Sequence, residues 1–594
     1  MRMRLLALLL LTPFLFAGEA PDPVTKLLPQ KCRMCLRVSS MDRLDELGKE
    51  LQRVVKLIDK DTGDFVRRLP LSASFIHGLG LDASDPFDRT KPVYVAFLDE
   101  GVLFYLPLED GKKWEGERKL KDGRIGVGRG GMICIGEPEF LAMPLRDRAV
   151  PFMTGDAGVK IFVDELFSDH RNAIQAAAAG AMPPIPGGPG MGDLREMIDD
   201  LSEVAEDIQA VDYALTWKQG RLESEGLVRI KDGAALRAFL ARVGPPGDND
   251  LTGFLPDRQF LTLDFVAKPG WPGTELLKVV ADHLKELKAE AAKKEKAEAA
   301  KKEKQEQPAQ PQQEGEIPRQ EQQAPEPQQP APAEKPPAAE KLEPKDVRAL
   351  ARAFGLNTHL WEHTTGKMAI GVSLKGMSGT ITTIIEGKKG ADLNAALMKL
   401  DPDAMNAAAK KVEAPFTFAF APRAGNHNGV EIHRLKRTFD PAVMGGMPMM
   451  PQKVEFTTCY STVNGLVLTV SSAIADPTAD MQTLIDRIQK GERHEPPHLK
   501  ALDRLGRRHN IGVTINAGAL KALGGQLFML PEIAQVLFLM PDDLSMSTVI
   551  SVWDGNIHWR GDWPVEEVAK IVDTIQQQEE ARRLAQKPEE EDFE

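Results

Sequence analysis

On both sides of Gln219-Gly220 the chain alternates apolar and polar residues with a period of two, and this stretch constrains the fold most. Val211, Tyr213, Leu215 and Trp217 share one face of the first run. In the second, Leu222, Ser224, Val228 and Ile230 lie on one side and Arg221, Glu223, Glu225 and Arg229 on the other. Period two marks a strand with one wet face, and two such runs about a Gly-containing turn predict an antiparallel hairpin. A strand from Val159 to Val163 precedes the hairpin, with helical and Pro/Gly-rich sequence between them, including a loop over 181–192. A helix follows, with Leu236, Phe239, Leu240 and Val243 at the i, i+3, i+4, i+7 spacing of one apolar stripe. Such a stripe is buried by lying on a sheet, so residues 158–243 read as one β-α-β-β-α unit.

The pattern returns twice. Gln259 to Val266 reads as a strand and Thr274 to Leu287 as a helix; Met368, Ile370, Val372 and Leu374 then alternate before Lys375-Gly376, and Ile381, Thr383 and Ile385 after it. Leu393, Ala396, Leu397 and Leu400 restate the helix stripe. A third set comprises Ile511, Val513 and Ile515, then Met546, Thr548, Ile550 and Val552, a turn at Asp554-Gly555, a strand with Ile557, Trp559 and Trp563, and a helix with Val565, Val568, Ala569 and Val572. Strand and hairpin turn stand 57 positions apart in the first set (Val163 to Gly220), 111 in the second (Phe265 to Gly376) and 40 in the third (Ile515 to Gly555). Taking out residues 285–345 brings the second to 50. That tract repeats AEAAKKEK and then runs in Gln, Pro, Glu and Ala, a composition that buries too little apolar surface to offset ordering entropy. It is expected to be an insertion within a folded unit.

Other hairpins are expected with turns at Gly130-Gly131 and Asn464-Gly465, and short helices opening at Glu137-Pro138 and Asp476-Pro477. Leu44, Leu47, Leu51, Val54, Val55 and Ile58 trace a helical stripe. The expected class is therefore α+β: repeated β-α-β-β-α units forming mainly antiparallel sheets with helices on one face, as two lobes or one extended sheet. In order, the divisions are a signal peptide over 1–20, a helical segment over 21–69, a first lobe over 70–284, the insertion over 285–345, a second lobe over 346–576 and an acidic tail over 577–594.

Arg2 and Arg4 before the apolar run Leu5 to Ala17 predict a secretory signal, cut between Ala17 and Ala20, and a periplasmic or extracellular mature protein. No later stretch is apolar enough for a transmembrane span. A net charge of −12 argues against a nucleic-acid partner. Four cysteines in 594 residues do not make a disulfide scaffold, although Cys32-Arg-Met-Cys35 is expected to close a local disulfide.

Catalytic candidates are few. His359-Leu-Trp-Glu362-His363 has the H-x-x-E-H order of the inverted zinc-peptidase motif, in which His359 and His363 would hold the metal and Glu362 would activate water. A third ligand falls to Glu413 or Glu431, but the nearby glycines and threonines make a poor helix. Met444, Met447, Met449 and Met450 offer soft thioethers without a His or Cys in the loop, and read as a Met-rich loop. Gly126 to Gly131 matches G-x-G-x-x-G but runs from strand to strand with no helix to receive a phosphate. Trp217, Trp553, Trp559 and Trp563 read as sheet or core residues, with the last three close enough for a sugar platform. The sequence favours a non-enzymatic exported binding or scaffolding protein with no cofactor and with a protein or envelope partner. A zinc peptidase and an apolar-ligand carrier are the alternatives.

Overall fold

The computed structural model describes residues 22–58, 71–82, 84–120, 123–153, 155–163, 204–270, 358–375, 378–411, 416–439, 454–473, 475–494, 499–526 and 539–586. The expected signal segment, the loop over 181–192, the helix over 274–287, the tract over 285–345, Glu413, the Met-rich loop and the last residues of the tail lie outside them.

In chain order the first strands are β1 (Met34–Val38), β2 (Val93–Phe97), β3 (Val102–Pro107), β4 (Glu117–Lys119), β5 (Ile125–Arg129), β6 (Met132–Gly136), β7 (Ala157–Ile161), β8 (Ile208–Lys218), β9 (Arg221–Ile230), β10 (Gly247–Asp248) and β11 (Gln259–Val266). They continue as β12 (Thr364–Lys375), β13 (Ser378–Gly387), β14 (Phe416–His427), β15 (Val430–Phe439), β16 (Val454–Val463), β17 (Leu466–Ser472), β18 (Arg508–His509), β19 (Ile511–Asn516), β20 (Ser545–Trp553) and β21 (Asn556–Trp563). The fold is α+β around one large sheet. Among the described residues nineteen strands join it, all antiparallel, and β10 and β18 pair separately. Pairings trace the order β4-β5-β6-β3-β2-β1-β7-β8-β9-β21-β20-β19-β11-β12-β13-β17-β16-β15-β14.

The order does not follow the chain. The last three strands sit between β9 and β11, so C-terminal sequence completes the centre of the sheet. Strand β11, from before the low-complexity tract, pairs with β12, from after it, with Phe265 opposite Met368. The alternating runs form the hairpins they predict. At Gln219-Gly220 and Asp554-Gly555 both turn residues have positive φ (51° and 76°, 49° and 74°), the geometry whose twist matches the flanking strands.

The described helices are α1 (Met41–Ile58), α2 (Leu71–Gly78), α3 (Pro138–Leu141), α4 (Ala235–Val243), α5 (Thr358–Glu362), α6 (Leu393–Leu397), α7 (Pro402–Lys411), α8 (Thr478–Lys490), α9 (Leu499–Leu505) and α10 (Val565–Gln586). The apolar stripes of α4 and α8 are buried on strands, whereas α1 packs mainly against α10 and α2. Leu236, Phe239, Leu240 and Val243 of α4 pack with Ile550, Ile557 and Trp559, at about 1.5–3 kcal/mol for each fully buried large side chain. Met481, Leu484, Ile485 and Ile488 of α8 pack with Ala369, Ile384 and Val470. No described helix is long and apolar enough to cross a membrane.

Two details differ from the sequence pattern. Met34–Val38 was expected within a helical segment but is a strand held on both sides, Cys35 standing opposite Ala96 of β2 and Lys160 of β7. Pairing on two edges outweighs local propensity there. In α10, Ala569 and Ile571 are buried while Val568, placed on the stripe, is exposed, because α10 rests against α1 as well as β9.

Both edges of the sheet are blunted. Strand β4 is only three residues long. On β14 the Asn406 side chain occupies Phe418, donating to its carbonyl at 2.8 Å and accepting from its N–H at 2.7 Å, and Pro422 has no N–H to offer.

Candidate functional site: a cleft over the end of β12 and β13

A cleft of about 490 Å³ opens where β12 and β13 approach their turn. The register sets Ser373 opposite Thr380 and Gly371 opposite Thr382, so hydroxyls gather at this end of the hairpin. Asn516, the last residue of β19, joins them as the chain passes into the 3-10 segment Ala517–Gln526. The walls are the loop Pro256, Asp257 and Arg258, Asp480 in the first turn of α8, Gly518, Ala519, Lys521 and Ala522, and Asp542. Backbone meets backbone on one side: a Cβ at Gly518 would collide with the carbonyl oxygens of Pro541 and Asp542, so that wall is closed to a larger residue.

The floor is neutral and the rim is charged. Thr382 is 1% exposed, Thr380 5% and Asn516 5%, and the Asn516 Oδ1 has no hydrogen-bond donor. A buried carbonyl oxygen without a donor costs about 1–3 kcal/mol, so native structures rarely leave one without a purpose. Gln259, opposite Ser373 in register, carries a second buried amide oxygen without a donor. On the rim, Lys521 Nζ donates to Asp542 at 2.7 Å; that hydrogen bond, then the ammonium charge, holds the Asp542 carboxyl below its ordinary range. Asp257 lies 3.8 Å from both Arg487 and His494. Aliphatic surface from Pro256, Leu374, Ala519 and Ala522 completes a mixed lining.

Other buried polar atoms, among them Ser224 Oγ and Trp361 Nε1, also lack a hydrogen-bond partner, whereas three buried groups away from the cleft are paired within the fold. Lys160 donates to Asp212 at 2.5 Å and to the Pro151 carbonyl at 3.0 Å, and Arg229 reaches the other Asp212 oxygen at 3.1 Å; burial lowers the Lys160 pKa, against the pull of Asp212. Asp562 of β21 accepts from Arg221 of β9 at 2.6 Å and from Arg504 of α9 at 2.7 Å. Asn510 donates to the carbonyls of Gly244, Pro245 and Val266 and accepts the Val552 N–H at 2.7 Å. These groups fasten neighbouring strands to one another.

The residues of the H-x-x-E-H match fall at a helix end. Helix α5 stops at Glu362, whose side chain is exposed and whose carbonyl accepts from Lys388 at 2.7 Å. His363 follows in the turn into β12, and the His359 side chain lies outside the described residues. Glu431, a candidate third ligand, is 2.9 Å from Arg423. Among the described residues no group of three or more His, Cys, Asp or Glu is placed to hold a metal. Cys32 and Cys35 are buried thiols in one core with Cys134 and Tyr105, their sulfurs 3.3 Å from the Met34 carbonyl and 3.7 Å from the Leu36 carbonyl. Burial, then the neighbouring Cys32, raises the Cys35 pKa. Of the tryptophans, Trp559 is in the core while Trp553 is 40% exposed, so they do not present one platform.

None of the cleft residues was singled out as functional by sequence, although Leu374 was placed on an alternating strand face. Thr380 and Thr382 occupy the polar phase of an alternating strand, which reads as a wet face, yet both are buried and line the cleft together with the loop before β11, α8 and the 3-10 segment Ala517–Gln526 that packs on β12 and β11. No family model, curated protein or solved structure matches the chain.

Proposed function

We propose that the chain is an exported, non-enzymatic binding or scaffolding protein assembled from repeated β-α-β-β-α units, with the cleft over β12 and β13 as its binding site. The single observation that carries this reading is a cavity of about 490 Å³ whose lining mixes hydroxyl, amide and aliphatic side chains, a size within the ~300–1,000 Å³ of ligand pockets. The described cleft lining contains no His, Cys or Glu, and its one lysine is engaged by Asp542. Repetition is supported by three strand-plus-hairpin sets that pair internally, β7-β8-β9, β11-β12-β13 and β19-β20-β21, each followed by a helix. Export is supported by the sequence of residues 1–20.

The test is retention of small molecules. Purified mature protein is incubated with a polar small-molecule extract, washed by ultrafiltration, denatured and analysed by mass spectrometry beside Asn516→Leu. The reading predicts a compound retained by the wild type and lost from the variant. Equal retention by both, or none by either, contradicts it. Near-stoichiometric zinc in the same preparation, lost on replacing His359 and His363, would instead favour the peptidase reading.

A further inference from the structure

We infer that a second site, on the hairpin of β20 and β21, holds the carboxylate of a small organic acid, with Arg560 binding the carboxylate and Trp553 covering the acid's planar carbon body. The site shares no lining residue with the cleft over β12 and β13 and does not depend on it.

Strand register builds a trough. Val549 stands opposite Arg560, Ser551 opposite His558 and Trp553 opposite Asn556, so alternate residues of the hairpin turn to one face. With Glu225 of β9, residues of that face line a cavity of about 160 Å³. This is the room of roughly five waters, enough for one ring with its acid group and too little for a nucleotide. Arg560 runs past Gly506, where an added Cβ would stand 3.0 Å from the guanidinium. Near the hairpin tip, Arg508 of β18 lies 5.9 Å from the centroid of the Trp553 ring, and the His558 ring meets Trp553 edge-on at 6.2 Å. The Ser551 hydroxyl donates to the Arg508 carbonyl at 3.5 Å, which ties β18 to β20 beside the trough.

Charge selects an anion. Acidic side chains outnumber basic ones in the chain, 87 to 75, and the neighbouring arginines are paired, Arg504 with Asp562 at 2.7 Å and Arg507 with Asp503 at 2.8 Å. Among the described residues neither Arg508 nor Arg560 is paired with a carboxylate, although Asp248 stands opposite Arg508 in register. A guanidinium without a partner beside a cavity offers the planar fork that a carboxylate fits. Burial lowers His558 to about 4, so the ring is neutral at neutral pH and the positive charge is that of the arginines alone. Glu225 in the lining opposes a dianion more than a monoanion, which favours a carboxylate over a phosphate. Asp248 and Asp554 are exposed, where water screens them. The body of the ligand follows from Trp553, whose indole is 40% exposed and open to a flat partner.

Calorimetric titration of the full mature chain with benzoate, inorganic phosphate and benzylamine tests the site, with tryptophan fluorescence followed in parallel. Benzoate is expected to bind at least tenfold more tightly than phosphate or benzylamine and to change the fluorescence. Arg560→Met is expected to weaken benzoate at least tenfold, and Arg560→Lys, which keeps the charge without the fork, to weaken it less. Arg508→Met and Trp553→Ala alter exposed side chains and are expected to weaken benzoate at least threefold each, so they report on the site even if Arg560→Met does not fold. Asn516→Leu in the other cleft is expected to leave benzoate binding unchanged. Phosphate or benzylamine binding as tightly as benzoate, or no benzoate binding, overturns the inference. So does benzoate binding that is indifferent to Arg560→Met or to both exposed variants, or that is lost in Asn516→Leu.

Discussion

Asn510 and Asn516 stand at opposite ends of β19 and are buried to nearly the same extent, 1% and 5% exposed, yet they do opposite things. The Asn510 amide is spent on the fold: its nitrogen serves three carbonyls from two segments, and its oxygen takes the Val552 N–H. Asn516 lines the cleft, and its Oδ1 is buried with no donor. Burial alone therefore does not tell whether a polar group is held by the fold. The difference lies in whether its hydrogen-bonding capacity is used up inside the protein.

The largest effect is expected at the satisfied end. Asn510→Leu leaves buried carbonyls and an N–H without partners and should cost about 3–5 kcal/mol, read as a lowered urea midpoint with little change in slope. Next is Asp562→Ala, which removes the buried carboxylate shared by Arg221 of β9 and Arg504 of α9 and should cost about 3 kcal/mol. Replacing Lys160 and Asp212 together by Met and Leu should cost much less than replacing either alone, because the pair then leaves no uncompensated charge. Thermal unfolding of the two single variants and the double variant checks this.

A smaller, graded effect is expected with pH. Burial lowers His558 to about 4 and lowers His433, whose two ring nitrogens are held by the Arg423 N–H at 3.0 Å and by Asn394 at 3.0 Å. An unfolded imidazole titrates near about 6.5, so below that pH the unfolded chain takes up protons the folded chain refuses. Stability should fall as pH drops from about 6.5 towards about 4 and then lose its His558 contribution to the slope. His558→Gln should flatten that decline.

How much of this was legible in the sequence follows from what each feature needs. Alternation is a local property, so the hairpins at Gln219-Gly220, Asn464-Gly465 and Asp554-Gly555 were readable, as was the stripe of α4. The strand order was not, because nothing within β19–β21 announces that these strands close the gap between β9 and β11. Cys35 and Lys160 were likewise unreadable as partners, since the strand that carries Cys35 is defined by neighbours distant in sequence. The cleft was hidden for a related reason. Thr380, Thr382 and Asn516 are ordinary polar residues on ordinary strands, and they share a cleft only because residues from the 3-10 segment, the loop before β11 and α8 line it with them.

The smallest expected effect on stability belongs to Asn516, where exchanging an amide without a donor for an apolar side chain of similar size should change stability by no more than about 0.5 kcal/mol. The direct test is urea unfolding of Asn510→Leu and Asn516→Leu side by side in the full mature chain. A large loss for the first and an unchanged or slightly raised midpoint for the second is the predicted result. Equal losses in both would make Asn516 a structural residue like its neighbour and contradict the assignment of the cleft as the working site.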